Sequence, residues 1–115
     1  MITVSLSLGF SILVSDSLSR GKYYQLKFKL KDEKSLDRYI GLYTRKTLDA
    51  DMLLFDENDK MIAKIAGSAG KYPNLFTFPG AGIYSVKVIA YSGEGSFLMV
   101  LSGKEELKTI LQDVK

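Results

Sequence analysis

The sequence contains no cysteine and no histidine. The absence of cysteine excludes disulfide bonds, thiolate catalysis, and zinc or iron–sulfur sites that depend on cysteine ligands. The absence of histidine removes the commonest general base near neutral pH and the commonest metal ligand. A serine nucleophile would then need a lysine partner, and no spacing in the chain indicates such a pair. We therefore expect a protein that is not an enzyme.

Long apolar runs are also missing. No stretch approaches the roughly 20 apolar residues that a membrane-spanning helix needs. Residues 1–14 are rich in apolar side chains, but serines interrupt them and no basic residue precedes them, so we do not expect a signal peptide. The net charge of +3 falls short of the concentrated basic patch that is typical of nucleic-acid-binding proteins. We expect no membrane span and no nucleic-acid partner, and the compartment stays open.

The residues that are present suit one folded domain. The chain has 115 residues, a size that buries roughly two-thirds of its unfolded surface and needs no metal or disulfide to fold. Apolar residues make up 46% and charged residues 25%, which is typical of a globular protein and not of a disordered one.

Apolar and polar residues alternate in short runs separated by turn formers, the pattern of half-buried β-strands. The predicted strands cover residues 4–14, 24–31, 39–44, 52–55, 61–65, 74–78, 83–91 and 96–101. Residues 56–59 read as the turn of a hairpin, and residues 92–95 as a tight turn. This spacing predicts an all-β antiparallel sandwich of about eight strands. The glycine pairs at 80–82 and 93–95 lie between strands, so turns explain them better than phosphate-binding loops.

The C-terminal tail has a different periodicity. Apolar residues recur at helical spacing at Leu107, Ile110, Leu111 and Val114, which predicts a short amphipathic helix over residues 104–114. A helix of this length is marginal alone, so its apolar stripe must cover its own sandwich, another subunit or a second protein. We take these four residues as candidates for partner binding. Tyr72 and Tyr91, which flank loops, are further candidates because exposed tyrosines anchor partners or stack on sugars.

The stretch from residue 49 to residue 102 resembles the bacterial and archaeal pre-peptidase C-terminal domain family, which has an Asp-x-Asp before an apolar strand, an Asp/Asn/Gly turn, and a later Phe-x-x-Pro-x-x-Gly-x-Tyr. The matching residues are Asp49-Ala50-Asp51, Leu53-Leu54-Phe55-Asp56, Asn58, Phe76 or Phe78, Pro79, Gly82, Tyr84, Val86, Val88, Tyr91, Gly93, Gly95, Phe97, Met99 and Leu101. Upstream, Tyr24, Leu26 and Phe28 match a family strand, so the resemblance covers roughly residues 18–102. Lys22, Tyr23 and Asp59 depart from the family pattern.

The resemblance implies a jelly-roll-like β-sandwich without catalytic activity. It also implies roles in stabilising or targeting an attached enzyme, in binding polymeric surfaces, and sometimes in binding calcium. Members of the family accompany exported enzymes, so the analogy implies an extracellular or cell-surface location.

The only carboxylate-rich cluster suggests a calcium site. Calcium takes six to eight oxygen ligands, and Asp49, Asp51, Asp56 and Asn58 could supply some of them. The spacing fails the EF-hand pattern, because Leu53 stands where a third ligand is needed. The alternative is that the aspartates cap strand ends and that Asp56 and Asn58 form an Asx-type turn.

Lysines line one face of the second predicted strand at Lys27, Lys29 and Lys31. Sheets that bind nucleic acids interleave aromatic residues with basic ones, but here Tyr24 and Phe28 alternate onto the opposite face. We interpret the lysines as a solvated outer face, and an anionic polymer or surface stays an open alternative.

The leading function from the sequence is a non-catalytic accessory or binding module that stabilises or targets a partner protein. One alternative is a self-associating structural protein of a coat or surface layer, suggested by the uncharged N-terminal strand and the tail helix. Another alternative is a carbohydrate-binding module. We expect a protein partner or self-association, with carbohydrate as a further possibility and no cofactor other than calcium.

Overall fold

A computed structural model describes residues 3–6, 12–30, 36–68 and 74–102 of the chain, and for residues 3–6, 12 and 13 it describes the backbone alone. The predicted helix with its Leu107, Ile110, Leu111 and Val114 therefore lies outside the described residues, as do Tyr72 and Lys31. Across the described ranges, no helix has the length and apolar character to cross a membrane.

The described residues form β-strands joined by turns, so the all-β prediction is confirmed. In chain order the strands are β1 (Thr3–Leu6), β2 (Ile12–Ser19), β3 (Tyr23–Leu30), β4 (Asp37–Thr44), β5 (Leu48–Phe55), β6 (Met61–Ala66), β7 (Asn74–Thr77) and β8 (Gly82–Ser102). The predicted hairpin is also confirmed, because β5 and β6 pair antiparallel on either side of the turn at residues 56–60.

The strands form two sheets that share β8. The first sheet has the order β1-β3-β8-β5-β6, and the second has the order β2-β8-β4-β7. Residues 82–93 of β8 pair with β3 and β5, and residues 94–102 pair with β2 and β4. All pairs are antiparallel except β1 with β3. The arrangement is that of a β-sandwich, and the jelly-roll strand order stays a prediction.

The predicted tight turn at residues 92–95 is wrong, because β8 runs through it without reversing. Gly93 and Gly95 have φ angles of 73° and 159°, values that glycine adopts far more readily than other residues. They let the strand pass from one sheet to the other and let Thr47 approach its backbone closely. The sequence predicted these glycines as a turn between two strands, but pairing on both sides of them keeps the chain extended.

The predicted first strand, residues 4–14, is also wrong as a single element. The chain forms β1 at one edge of the first sheet and β2 at one edge of the second sheet. β2 continues to Ser19, and the turn before β3 is formed by Arg20 and Gly21. Alternation of apolar and polar residues indicates extended backbone, but it carries no information about which sheet an extended segment joins.

The two inner faces pack into one apolar core. Alternation along β3 is confirmed, because Leu26, Phe28 and Leu30 are buried while Lys27 and Lys29 are exposed. The core contains Leu26, Phe28, Leu30, Leu48, Ala50, Met52, Leu54, Tyr84, Val86, Val88 and Ala90 from the first sheet, Ile40, Leu42, Phe97, Met99 and Leu101 from the second, and Phe78 after β7.

Aromatic rings at one end of the core tie the loop after β7 to the first sheet. The ring of Phe78 stands edge-on to Phe28 at 5.9 Å, to Phe76 at 5.0 Å and to Tyr84 at 4.8 Å between centroids. Edge-to-face pairs of this kind each add about 0.5–1.5 kcal/mol beyond the burial of their area. The hydroxyl of Tyr84 donates to the carbonyl of Gly80, so its polar tip is satisfied.

We predict that Gly93→Ala severely destabilises the protein. A Cβ atom at this position would collide with the carbonyl oxygen of Thr47, which accepts a hydrogen bond from the Glu94 N–H at 3.0 Å. The positive φ adds a further cost of about 1–3 kcal/mol for a non-glycine residue. We expect a loss of at least about 3 kcal/mol, measured by urea denaturation.

Gly80→Ala is the matched control for this prediction. A Cβ atom at Gly80 meets no atom within 4 Å, and its φ is not positive. We expect its stability to stay within about 1 kcal/mol of the wild type. Equal stability of the two alanine variants would contradict the role assigned to Gly93.

Candidate protein-binding face

The outer face of the first sheet combines lysines with apolar side chains. Its residues come from alternate positions of β3, β8, β5 and β6, opposite to those that fill the core. Three rows cross it in the hydrogen-bonding register: Tyr23–Ile89–Asp51–Ala66, Gln25–Lys87–Leu53–Lys64, and Lys27–Ser85–Phe55–Met61. Lys29 and Ile83 continue the face in a fourth row. We call this surface the lysine face.

Apolar side chains on the lysine face remain in contact with solvent. Tyr23 is 58% exposed and Met61 is 50% exposed, while Leu53, Phe55 and Ile89 are half-buried. Single exposed apolar residues are ordinary on a protein surface, but a contiguous apolar patch marks an interaction site. These five residues lie on neighbouring strands, so they form a patch and not isolated exposures.

The charge of the lysine face is predominantly positive. Lys27, Lys29, Lys64 and Lys87 lie in its rows, and Asp51 is the only carboxylate in them. Lys64 Nζ lies 3.5 Å from Asp51 Oδ2, in an ion pair whose lysine is exposed and whose aspartate is partly buried. Water screens the lysine, so the pair contributes modestly to stability. A second aspartate, Asp49, lies on β5 beyond the rows.

A cation–π contact links the charged and aromatic parts of this face. The Nζ atom of Lys87 lies 4.1 Å from the centroid of the Tyr23 ring. The negative face of the ring attracts the ammonium group, by about 0.5–1 kcal/mol at an exposed site. The contact also orients the exposed ring of Tyr23 and holds Lys87 beside it.

Tyr23 was not among the binding candidates predicted from the sequence. Sequence reasoning placed the aromatic residues of β3 on the face opposite to the lysines, which is correct for Tyr24 and Phe28. The same alternation puts Tyr23 in phase with Lys27 and Lys29, so the signal was available. Of the other tyrosine candidates, Tyr91 is 46% exposed on β8 next to the glycines where the strand changes sheet.

The carboxylates proposed for calcium do not form one group. Asp49 and Asp51 lie towards the start of β5, whereas Asp56 and Asn58 lie in the turn after its end. Among the residues that the structure describes, no three acidic, histidine or cysteine residues could hold a metal ion together. Calcium binding therefore stays a prediction of the sequence, without a ligand set in this geometry.

Asp56 acts instead as a turn residue. Its Oδ1 atom accepts hydrogen bonds from the backbone N–H groups of Asn58 and Lys60, both at 2.9 Å. The Asx-type turn expected for Asp56 is thereby confirmed. Asp59 has a φ of 61°, a left-handed conformation that aspartate tolerates better than most residues, and glycine is common there in the family that the chain resembles.

The outer face of the second sheet is apolar but differs from the lysine face. Register places Tyr39 beside Leu75, and it places Tyr43 and Gly41 beside Leu98 and Val100. Val100 is fully buried although it points away from the core, whereas Leu75 is 56% exposed. The Tyr43 hydroxyl is buried without a hydrogen-bond partner in the described part of the chain.

Three tyrosines of the described part of the chain have raised pKa values. Burial raises the pKa of Tyr24, Tyr43 and Tyr84, and the negative charge of Asp16 raises the pKa of Tyr24 further. An open groove of about 440 Å³ is lined by Ser17, Leu18, Ser19, Lys22, Glu94 and Gly95.

No family model and no curated protein matches the chain. Solved structures do match. The pre-peptidase C-terminal domain of a collagenase from Bacillus anthracis has a TM-score of 0.65 at 19% identity, over 87% of this chain and 94% of that chain. The resemblance to this family is therefore confirmed at the level of the fold, while the jelly-roll strand order stays a prediction.

Inhibitors of g-type lysozyme have a similar fold. The periplasmic inhibitor PliG of Aeromonas hydrophila matches with a TM-score of 0.59 at 13% identity, over 88% of this chain and 96% of that chain. PliG of Salmonella Typhimurium matches with a TM-score of 0.57 at 14% identity, over 87% and 96%. At these identities the likeness concerns the fold alone.

We predict that Asp56→Ala lowers stability by about 1 kcal/mol, because two backbone N–H groups lose their acceptor. The loss is expected to be equal in EDTA and in millimolar calcium, as measured by thermal unfolding. Asp49→Ala, which removes an exposed carboxylate of the same set, is the control and should change little. A calcium site would be established instead if calcium raised the melting temperature of the wild type and raised that of neither variant.

We predict that Tyr43→Phe stabilises the protein by up to about 1 kcal/mol, because it removes a buried hydroxyl that has no partner among the described residues. The substitution should also change the dependence of stability on pH. The folded pKa of Tyr43 is raised, so its contribution is present below pH 10 and is lost as pH rises above that value.

Urea denaturation of wild type and Tyr43→Phe from pH 8 to pH 11 measures both effects. The variant should lose less stability above pH 10 than the wild type does. Tyr91→Phe is the control, since this tyrosine is exposed and its substitution should change stability little. Destabilisation by Tyr43→Phe would contradict the absence of a partner for this hydroxyl.

Proposed function

We propose that this protein is a non-catalytic module that binds a protein partner through the lysine face. The observation that carries the proposal is the patch of exposed and half-buried apolar residues that crosses the three rows of that face from Tyr23 to Met61. In antiparallel sheets with one solvated face, apolar side chains usually point to the core and polar side chains to the solvent. Apolar residues on the outer face therefore depart from the usual pattern. Burial against a partner would give them a favourable environment.

The solved structures of similar fold support this reading. One is a domain of a collagenase, and the others are periplasmic inhibitors of g-type lysozyme. The first is a domain of an enzyme, and the others are inhibitors of an enzyme. In both cases, a protein of this fold acts together with an enzyme. We therefore place the partner among enzymes, and the site of action outside the cytoplasm by the same analogy. The family resemblance extends the proposal to stabilising or targeting that enzyme.

A double substitution tests the proposed surface. We expect Tyr23→Ala with Met61→Ser to weaken partner binding at least about tenfold, because truncating buried aromatic anchors typically costs more than 1 kcal/mol. Immobilised wild-type and variant proteins are incubated with extract of the native host. Retained proteins are quantified, and the affinity of each purified candidate is then measured by calorimetry.

Leu75→Ser is the matched control, because Leu75 is 56% exposed and lies on the outer face of the second sheet. It should bind the partner as the wild type does. A partner that the double variant retains at full affinity would place the binding surface elsewhere. If no protein is retained specifically by the wild type, the proposal of a protein-binding module fails.

A second candidate is direct inhibition of a lysozyme, favoured by the match to two PliG structures across more than four-fifths of this chain. Hydrolysis of bacterial cell walls by purified g-type lysozyme would be followed by turbidity, with and without the protein. Slower hydrolysis that scales with protein concentration would support inhibition. Unchanged hydrolysis at a large molar excess of the protein would exclude this candidate.

The other two functions considered from the sequence have their own tests. Self-association would use unpaired sheet edges, and β1 and β2 each pair with only one neighbour among the described strands. Light scattering distinguishes this role, because a monomer at high concentration counts against a coat or surface-layer protein. A glycan array without specific signals would count against a carbohydrate-binding module.

A further inference from the structure

We infer that the lysine face binds an acidic surface of a protein, an inference that rests on the proposed function and names the chemistry of its partner. Lys27, Lys29, Lys64 and Lys87 are spread over three strands of the face, and Asp51 is the only carboxylate in its rows. Interfaces place complementary charges opposite one another, so this arrangement selects partners rich in glutamate and aspartate.

The positions of the lysines relative to the apolar patch specify the kind of interface. Lys27 and Lys29 are two residues apart on β3, about 7 Å along the strand, while Lys64 lies on β6 at the opposite edge of the rows. Between these edges lie Ile89 and Leu53. Lys87 and Asp51 lie beside these two residues on the same strands, so charged groups border the apolar side chains throughout the face. A partner that buries the apolar patch must therefore also supply groups that pair with the lysines.

Tyr23 and Lys87 form the most specific part of this surface. The ammonium group of Lys87 lies 4.1 Å from the centroid of the exposed Tyr23 ring, so the two side chains hold each other in place. Ordering long side chains on binding costs free energy, and a pair that is already oriented loses less of it. A carboxylate of the partner could bind this ammonium while an apolar residue covers the ring.

The same observations favour a protein over a nucleic acid. Sheets that bind single-stranded nucleic acids present several aromatic rings on which successive bases stack. In the three rows, Tyr23 is the one largely exposed aromatic residue, since Phe55 is half-buried. Aliphatic Leu53 and Ile89 lie in the middle of the patch. They can pack against apolar side chains of a protein, but they offer no aromatic ring on which a base can stack.

The test uses two peptides of the same length, each with a central Leu-Phe-Leu segment. One is flanked by four glutamates on each side and the other by four glutamines. Binding to uniformly labelled full-length protein is followed by amide chemical shifts. We expect the glutamate peptide to shift amides of β3, β5 and β8 in the first sheet. It should bind at least tenfold more tightly than the glutamine peptide at 50 mM salt, and this advantage should largely vanish at 500 mM.

Charge reversal provides the matched comparison. Lys27→Glu with Lys87→Glu should weaken binding of the glutamate peptide at least tenfold. Arg20→Glu with Lys46→Glu makes the same change of charge at exposed positions in turns outside the face, and it should weaken binding less than threefold. Both double variants should melt close to the wild type, because none of these side chains is in the core. Equal effects of the two double variants would overturn the inference.

Two further probes separate other anionic ligands from proteins. These are a 15-residue oligothymidylate and vesicles that contain phosphatidylglycerol. Tighter binding of either probe to the lysine face than of the glutamate peptide would overturn the inference in favour of a nucleic acid or a membrane. Absence of glutamate-peptide binding at millimolar concentration would overturn it as well.

The inference and the proposed function fail in different ways. A captured partner that loses affinity for the Tyr23 and Met61 double variant, but binds the Lys27 and Lys87 double variant as it binds the wild type, would leave the proposed function intact. The acidic chemistry of the partner would then be wrong. A captured partner whose affinity falls at least tenfold in both double variants would support both proposals.

Discussion

Both sheets of this protein depend on the continuous pairing of one strand. β8 supplies the partner for β3 and β5 in the first sheet and for β2 and β4 in the second. Its passage between the sheets requires a backbone without a side chain at Gly93, where Thr47 approaches most closely. The core, the outer faces and the register of four neighbouring strands all follow from this passage, so a local constraint at one residue determines the global arrangement.

The sequence identified the fold class because alternation and turn formers report on local backbone. β3 was predicted with its correct inner and outer residues, and the hairpin of β5 and β6 was placed correctly. The errors concern pairing over long distances. Residues 92–95 contain turn-forming glycines, yet neighbours on both sides keep the strand extended, and the first predicted strand proved to be two strands in different sheets.

The candidate site was harder to predict than the fold because it is assembled across strands. Lys27 and Lys29 were recognised as an outer face from β3 alone, but Lys64 and Lys87 join them only through the register of β8, β5 and β6. Carboxylates close in sequence were taken for a group, although an extended strand carries Asp51 away from Asp56. In a sheet, residues distant in sequence become neighbours and residues adjacent in sequence separate.

Sharing one strand between two sheets also has a mechanical consequence. In a sandwich of two independently closed sheets, one sheet can detach while the other keeps its hydrogen bonds. Here one continuous strand is central to both sheets, so detaching either sheet would pull on the strand that holds the other. Edge strands such as β6 and β7, which each pair with one described strand, can open with less disruption. A domain of this design would transmit a pulling force as a single element.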